Sequence, residues 1–542
     1  VSEKIVGIVT QVESPFLVYA RLNYSESSLS LGSLVLIEDK SGCRLLGRIS
    51  NICRRNVIQD DRLLQKVDFD SVKLLEDYGI DVEYLTATTI AKISIVGELE
   101  GFSVRPPRRP PRLYSVVKIP NRETLESILR PRSGSVHIYI GSLRDNPDVK
   151  LYLDADKLVT HHCAILAATG SGKSWLAGII IEELVLNTDI SIIVFDPHSE
   201  YSAMQVPASA IGLELTEDEE ELARRISERV MIYVPARVDT SAIDSFFRRK
   251  FGRERVYERF GIHPTMLPLP VLSKLLDYYY GLSETQRRVL EEVWGAIYGL
   301  ADEYVTLRDL LEEIERVGRQ VLPRGYAGEA ALSSLISKLR LLFENRPFFT
   351  FRAGEYFQGK LIKMLDVESL LKTPGVKILD LSGLDYVDQQ ALITVVLDKL
   401  LRLAMRRRCR PTLVVVEEAH NFAPSRGDSL SLHTLLRIAR EGRKFGIGLL
   451  LISQRPTRLH PDILSQCMTH IFKRIINPND LKYVREVVEH VQTEDLHELK
   501  TLSEEEALIV GLAVKIPVLV RVRKRYTAHG GITPSLKEAI IS

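Results

Sequence analysis

The sequence predicts an α/β protein: a doubly wound, mostly parallel sheet, interrupted by a helical bundle and preceded by a small β-barrel. Three observations carry that reading. Short β-branched runs separated by turns fill the chain from Val1 to about Ile140. From about Leu151, near-continuous apolar runs alternate with helical patterns, and between two of those runs a long segment repeats apolar residues at i, i+3, i+4 and i+7.

Residues 1–145 hold the runs KIVGIVTQV, SLVLIED, CRLLGRIS, TTIAKISIVG and LYSVVKI, whose length and spacing suit a closed barrel. The stretch RPPRRPPR, Arg105 to Arg112, cannot be a central strand, because proline has no N–H to give a ladder. It is expected as an exposed polyproline-like loop carrying Arg105, Arg108, Arg109 and Arg112, either as a contact for DNA or a partner or as a solvated loop.

The core is expected in two parts, residues 146–215 and 371–525, with the helical insertion at 216–370 between them. Its strands are CAILAA, SIIVFD, VKILDLS, TLVVVEE, GIGLLLIS and HIFKRI, apolar along their whole length, as strands covered on both faces must be. Segments such as PVLSKLLDYYYGL, ETQRRVLEEVWGAIYGL and ALSSLISKLRLLFENR give the insertion its helical period. Two further strand-like runs, ALIVGLAV and PVLVRVRKR, end the core, and residues 526–542 form a polar tail.

Composition narrows the class. At 542 residues and 45% hydrophobic content the chain exceeds one ordinary core. Lys and Arg total 72 against 71 Asp and Glu, so contact with a polyanion must come from local basic patches. Five scattered cysteines without C-x-x-C spacing fit a reducing cytoplasm and no structural metal. No apolar run approaches the roughly 20 residues of a membrane span, and the N-terminus lacks a basic-then-apolar leader, so a soluble intracellular protein with no membrane partner is expected.

The stretch Cys163 to Leu184, CAILAATGSGKSWLAGIIIEEL, follows the phosphate-loop pattern G-x-x-x-x-G-K-[ST] with Ala167 at the first glycine. Thr169, Gly170, Ser171, Gly172, Lys173 and Ser174, with Trp175 beside them, are expected to hold ATP: backbone N–H groups on the phosphates, Lys173 on the β/γ-phosphates and the Ser174 hydroxyl on Mg2+. Alanine serves at position 167 if its φ is negative. Without ligand, Lys173 is expected to face solvent. In VVVEEAHNF an apolar strand ends in two acids, with Glu417 assigned to the metal and Glu418 to the general base. Glu417 stands where aspartate is usual, and its extra methylene changes the reach. Asp196, His198 and Glu200 in FDPHSEY either link nucleotide to a DNA-facing loop or form a hydrogen-bonded turn. His161 and His162, lacking a third metal partner, read as structural.

In order, AATGSGKS, FDPHSEY, EEAHNFAPS and REGRKFGIGLLLISQRP resemble the HerA branch of the HerA/FtsK ATPases. The barrel (HAS-barrel-like), insertion and tail (brace) match that layout too. The resemblance implies a RecA-like core and a homo-hexameric translocase or helicase on double-stranded DNA, usually archaeal. It also implies a partner nuclease, NurA-like, in DNA-end resection and recombinational repair, with the barrel as its dock. Carried onto this chain, it makes Lys173 and Ser174 the Walker-A pair, Glu417 and Glu418 the Walker-B pair, Gln454 the sensor and Arg443 the arginine finger. Arg437, Arg440 and Arg443 recur at i+3, and Arg440 could instead pair with an acid on its own surface. DNA is expected at the loop NFAPSRGDSLS, read as mobile, where Arg426 offers a phosphate contact. The EEAH string does not make a DEAH-box helicase, since Gln454-Arg455-Pro456 does not continue into a QRxGR-type motif. The rival readings are a ring-shaped DNA-binding scaffold with a switching ATPase and a conjugation- or packaging-type DNA pump.

Overall fold

Valines spaced to one side of a pleated strand start the first unit. In β1 (Lys4–Ser14) Val6 and Val9 are buried while Ile5 and Ile8 face out. The computed structural model describes residues 3–23, 29–56, 73, 87–101, 103–131, 134–300, 306–321, 326–351, 355–488 and 493–531. The strands β2 (Leu17–Leu22), β3 (Leu34–Glu38), β4 (Arg44–Asn56), β5 (Ala87–Glu100), β6 (Ser103–Arg105) and β7 (Val116–Ile119) follow. They pair antiparallel in the order β2-β1-β7-β3-β4-β5, and β2 pairs again with β5, closing a six-strand barrel with β6 added at β5. Its interior holds Val18, Val35, Ile37, Ile49, Ile93 and Val117. Sequence patterning missed β2, because LVYARL carries tyrosine and arginine on its outer face. Beyond β6 the arginine-proline stretch leaves the ladder: Pro107 and Pro111 are buried, and Arg105, Arg108, Arg109 and Arg112 are exposed. The same unit includes β8 (His137–Leu143) and β9 (Asn146–Asp154).

The second unit is the α/β core, with strands β10 (Cys163–Leu166), β11 (Ser191–Asp196), β12 (Val230–Pro235), β13 (Glu258–Gly261), β14 (Tyr356–Phe357), β15 (Lys360–Met364), β16 (Gly375–Asp380), β17 (Thr412–Val416), β18 (Ile447–Ser453) and β19 (Thr469–Phe472). Their order is β14-β15-β13-β12-β16-β11-β17-β18-β10-β19, parallel except for β14 against β15. Every residue of β10, β11, β16, β17, β18 and β19 is buried, which is why these strands read as unbroken apolar runs.

Residues 216–370 are not helical throughout. The helices α1 (Leu269–Tyr280), α2 (Glu284–Ile297), α3 (Leu307–Val321) and α4 (Tyr326–Asn345) are there, with the buried Trp294 donating to the Leu267 carbonyl at 2.9 Å. But β12, β13 and β15 carry the sheet outward from β16. The run VMIYVP follows directly on the helical pattern ELARRISERV, and six residues are too few to show a period of their own. The two last strands differ as well: β20 (Glu506–Gly511) and β21 (Val518–Val522) fall in the first unit, where β21 pairs antiparallel with β8.

The helix after the phosphate loop, Lys173–Asn187, anchors the C-terminal segment. Its Glu182 is fully buried and accepts from Thr527 N–H (2.8 Å), Thr527 Oγ1 (2.6 Å) and Tyr526 N–H (3.2 Å), with the buried Arg525 Nε at 3.5 Å. Gly178 leaves the room that the Arg525 guanidinium occupies. The tail expected at 526–542 is described to Gly531, and residues 532–542 lie outside the described residues. Among the described residues no helix is long and apolar enough to cross a membrane. Glu182→Ala leaves a buried guanidinium without its counter-charge and should cost about 3–5 kcal/mol in urea unfolding. Amide exchange should rise at Tyr526 to Gly530; unchanged exchange there would mean that other contacts hold the segment.

Candidate nucleotide-binding site

The site lies at the carboxyl ends of β10, β11, β17 and β18, where parallel sheets present their loops. Leu166 pairs with Ser453 and Phe195 with Val416, so the chain leaves all four strands at about one level. Ala167 is buried, its N–H donates to the Ser453 carbonyl at 3.2 Å, and its φ is not positive, so the missing glycine costs nothing in backbone conformation. The two positions that need left-handed backbone carry glycine: Gly170 at φ 72 and Gly172 at φ 80. Ser171 Oγ bonds to the Ala168 carbonyl, shaping the loop from inside. Lys173 is only 8% exposed, which corrects the expectation that it faces solvent. It opens its helix in the field of Glu417 and Glu418.

After β17 the two acids diverge. Glu417 Oε1 lies 3.5 Å from Ser174 Oγ, on the phosphate-loop side. Glu418 adopts left-handed backbone, φ 50, and the Gln454 N–H donates to its carboxylate. A left-handed glutamate is uncommon and costs about 1–3 kcal/mol. Glu418 is 7% exposed and its Oε2 has no hydrogen-bond partner. His420 lies nearby but is bonded to Ser453 Oγ at 3.1 Å, and burial lowers its pKa to about 4, so it stays neutral. Burial pushes Glu417 up to about 8, with Glu200 and Glu418 adding to the rise and the Tyr201 hydroxyl and Lys173 opposing it. Burial raises Glu418 too, against Lys173 and His198. Gln454 accepts a short bond from Thr169 Oγ1, so the β18 edge touches the tip of the phosphate loop.

These donors suit Mg2+ held jointly with nucleotide phosphates, which uses one or two carboxylates, a hydroxyl and waters. Ser174 and Glu417 supply the hydroxyl and one carboxylate, and Glu418 Oε2, buried 3.2 Å from His420 Nδ1, takes part in no hydrogen bond. Among the described residues no group of three His, Cys, Asp or Glu is arranged to hold a metal by protein ligands alone.

The FDPHSEY segment forms the hydrogen-bonded turn, one of the two readings considered for it. Asp196 gathers the turn, accepting from the N–H groups of His198 (3.2 Å), Glu200 (3.1 Å) and Tyr201 (2.8 Å). The turn sets His198 within the field of Glu418 and Glu200 within that of both acids, and Glu200 Oε2 is buried without a hydrogen bond. Tyr201, whose hydroxyl bonds Glu417 Oε2 at 2.6 Å, escaped sequence reasoning. A tyrosine closing a polar turn carries no signal of a role. Trp175 is half-buried and meets the His529 ring edge-on at 6.1 Å, beside the loop rather than within it.

The three arginines near β18 part company. Arg437 lies 3.6 Å from Glu441, and Arg440 donates to Asp462 at 2.8 Å. Arg443, in the 3-10 turn Gly442–Phe445, is exposed, and among the described residues its side chain forms no hydrogen bond or ion pair. Arg426 is exposed beside Gly427 (φ 84) at the tip of its loop. That loop is less mobile than expected: Ser425 N–H donates to Arg458 O at 2.7 Å, Ser429 and Ser431 hydroxyls bond Phe422 O, and Lys274 pairs with Asp428.

Comparison with known proteins agrees with this arrangement. Residues 138–400 match the family described as "Helicase HerA, central domain". The chain is 28% identical to the DNA double-strand break repair helicase HerA of Pyrococcus furiosus, covering 96% of this chain and 92% of that one. It is 27% identical to the protein of the same name from Sulfolobus acidocaldarius, covering 95% and 92%. Among solved structures it is similar to VirB4 of Thermoanaerobacter pseudethanolicus, with 15% identity, a TM-score of 0.47 and coverage of 72% of this chain and 97% of that one.

Behind the site, His162 clamps β18. Its Nδ1 accepts the Leu449 N–H at 3.0 Å and its Nε2 meets the Ala439 carbonyl at 3.1 Å, so the ring is held neutral and burial lowers its pKa to about 4. An unfolded histidine takes its proton near 6.5, so the clamp's contribution is complete above that pH and is lost as pH falls towards 4. His162→Asn, an exchange that suits the φ of 57, should remove that part of the acid sensitivity. Between pH 6.5 and 4 the unaltered chain should lose up to about 3 kcal/mol more stability than the variant; equal slopes in urea titrations would mean that the ring titrates normally.

Proposed function

This chain belongs to the HerA family, and on that premise we propose that it assembles as a homo-hexameric ring that drives double-stranded DNA, working with a NurA-like nuclease at DNA ends. It is an ATP-dependent DNA helicase or translocase of the DNA-repair kind. The observation that carries the finer reading is Arg443. Of the residues assigned to the nucleotide site, Lys173, Glu417, Glu418 and Gln454, none is an arginine that could meet the charge building on the transferred phosphoryl group. The chain meanwhile offers an exposed, unengaged arginine one helix away, next to two that are already paired. An arginine of that kind serves a neighbour.

Within one subunit Lys173 steadies the β/γ-phosphates, and the backbone of Thr169 to Ser174 cradles them. Glu418 orients the attacking water and accepts its proton, helped by a carboxyl that burial makes more basic than usual. Gln454 couples the far strand to the loop tip through Thr169. Mg2+, when bound with nucleotide, adds neutralisation of phosphate charge, and Ser174 and Glu417 would hold it. Arg426, one per subunit at a loop tip, contacts DNA phosphates, and the barrel docks the nuclease.

Glu418→Gln should still bind ATP while hydrolysis falls at least ~100-fold, within the range for losing a general base. Loss of binding as well would move Glu418 into the metal set. Arg443→Ala chains and Lys173→Ala chains, each inactive alone, should regain DNA-stimulated ATP turnover when co-assembled, because some Lys173 sites then border an intact Arg443; a finger supplied in trans is worth roughly 10³ to 10⁵ in rate. Mixed rings verified by native mass that stay inactive, or Arg443→Ala alone at full turnover, would place the finger elsewhere.

A further inference from the structure

Glu417 has one more torsion than the aspartate usual at a Walker-B position, so something must aim its carboxylate. Tyr201 is fully buried and donates its hydroxyl to Glu417 Oε2 at 2.6 Å. That leaves Oε1 as the oxygen beside Ser174 Oγ, 3.5 Å away. One oxygen is tied and the other is presented.

Tyr201 is itself held from behind. Its N–H donates to Asp196 Oδ2 at 2.8 Å, while Asp196 Oδ1 takes the N–H groups of His198 and Glu200. Ser199, left-handed at φ 58, donates to Asp380 Oδ2 at 2.8 Å, an oxygen shared with the buried Arg255. Arg255 in turn reaches Asp244 at 3.0 Å, so the turn between β11 and Tyr201 is bolted to the end of β16 and to the helix Ser241–Phe251. A side chain braced at this many points is suited to fixing a second one.

We propose that Tyr201 is a positioning residue: its hydroxyl locks Glu417 in the rotamer that offers Oε1 to the metal, which lets a glutamate serve where a shorter aspartate would be aimed by its backbone alone. The inference rests on the reading of Ser174 and Glu417 as the metal side of an ATP site.

Tyr201→Phe keeps the ring and removes only the hydroxyl. The test uses full-length chains with a non-hydrolysable ATP analogue, and follows Mn2+ binding to the analogue complex by the loss of free-Mn2+ electron paramagnetic resonance signal. Analogue affinity in EDTA and the melting temperature are measured alongside. Tyr201→Phe should bind Mn2+ about tenfold more weakly, the lower end of what supporting residues cost a metal site, with metal-free analogue affinity within about twofold. Combining it with Glu417→Asp should recover most of that loss, because the shorter carboxylate needs no tether. Unchanged Mn2+ affinity in Tyr201→Phe, or a loss that Glu417→Asp does not relieve, would overturn the proposal. An equal fall in metal-free analogue affinity would also overturn it, by showing that the hydroxyl merely supports the fold. Failure of the unaltered chain to bind the analogue at all would instead strike the ATP-site reading on which the proposal stands.

Discussion

The register of four parallel strands is the constraint on which the site depends. Pairing Leu166 with Ser453, Phe195 with Val416 and Val416 with Leu451 brings β10, β11, β17 and β18 to their ends together. Nothing polar inside those strands could do chemistry, since every residue of them is buried and the sheet is covered on both faces. The reactive groups therefore gather at the strand ends: the phosphate loop after Leu166, the paired acids after Val416, Gln454 after Ser453, and the FDPHSEY turn from Asp196, the last residue of β11. A parallel strand cannot slip without breaking its hydrogen bonds to both neighbours, so the acids hold their distance from the loop without needing direct bonds to it.

Electrostatics makes the assembled site unstable as a set of charges. Asp196, Glu200, Glu417 and Glu418 crowd a region from which water is largely removed, with the Lys173 ammonium acting on both Glu417 and Glu418. Burial and mutual repulsion push Asp196, Glu417 and Glu418 towards their neutral forms. A bound cation reverses this balance: it favours the charged carboxylates, and protons must leave as it enters.

How much of this was legible in the sequence follows from how each signal arises. Fully buried strands announce themselves, since burial on both faces demands unbroken apolar runs, and all six of those named from the sequence are strands of the core. The phosphate loop was legible even with Ala167, because the glycines that need positive φ are Gly170 and Gly172. Short strands were not: β2 shows tyrosine and arginine to solvent, and β12 has six residues abutting a helix. The assignment of residues 489–523 to the barrel-bearing unit depends on antiparallel pairing of β21 with β8, a contact more than 370 residues apart in sequence that no local pattern encodes. Tyr201 was invisible for a different reason. Its importance lies in one hydroxyl meeting one carboxylate 216 positions away.

The position of Arg443 joins these strands of argument on the proposed reading. Hydrolysis places extra negative charge on the transferred phosphoryl group, in a cleft already rich in carboxylates, so a second cation has to arrive with that charge and leave afterwards. A resident arginine would be captured by the acids and would hold the site in one state. Arg437 and Arg440 illustrate how readily arginines on this surface are captured, each by an acid of its own chain. Arg443 escapes because Gly442 ends the helix Leu432–Glu441 and a 3-10 turn carries the side chain past the acids of that face. Keeping it outside its own site and lending it to the next subunit makes the cation available only in an assembled ring, where hydrolysis in one subunit then depends on the placement of its neighbour.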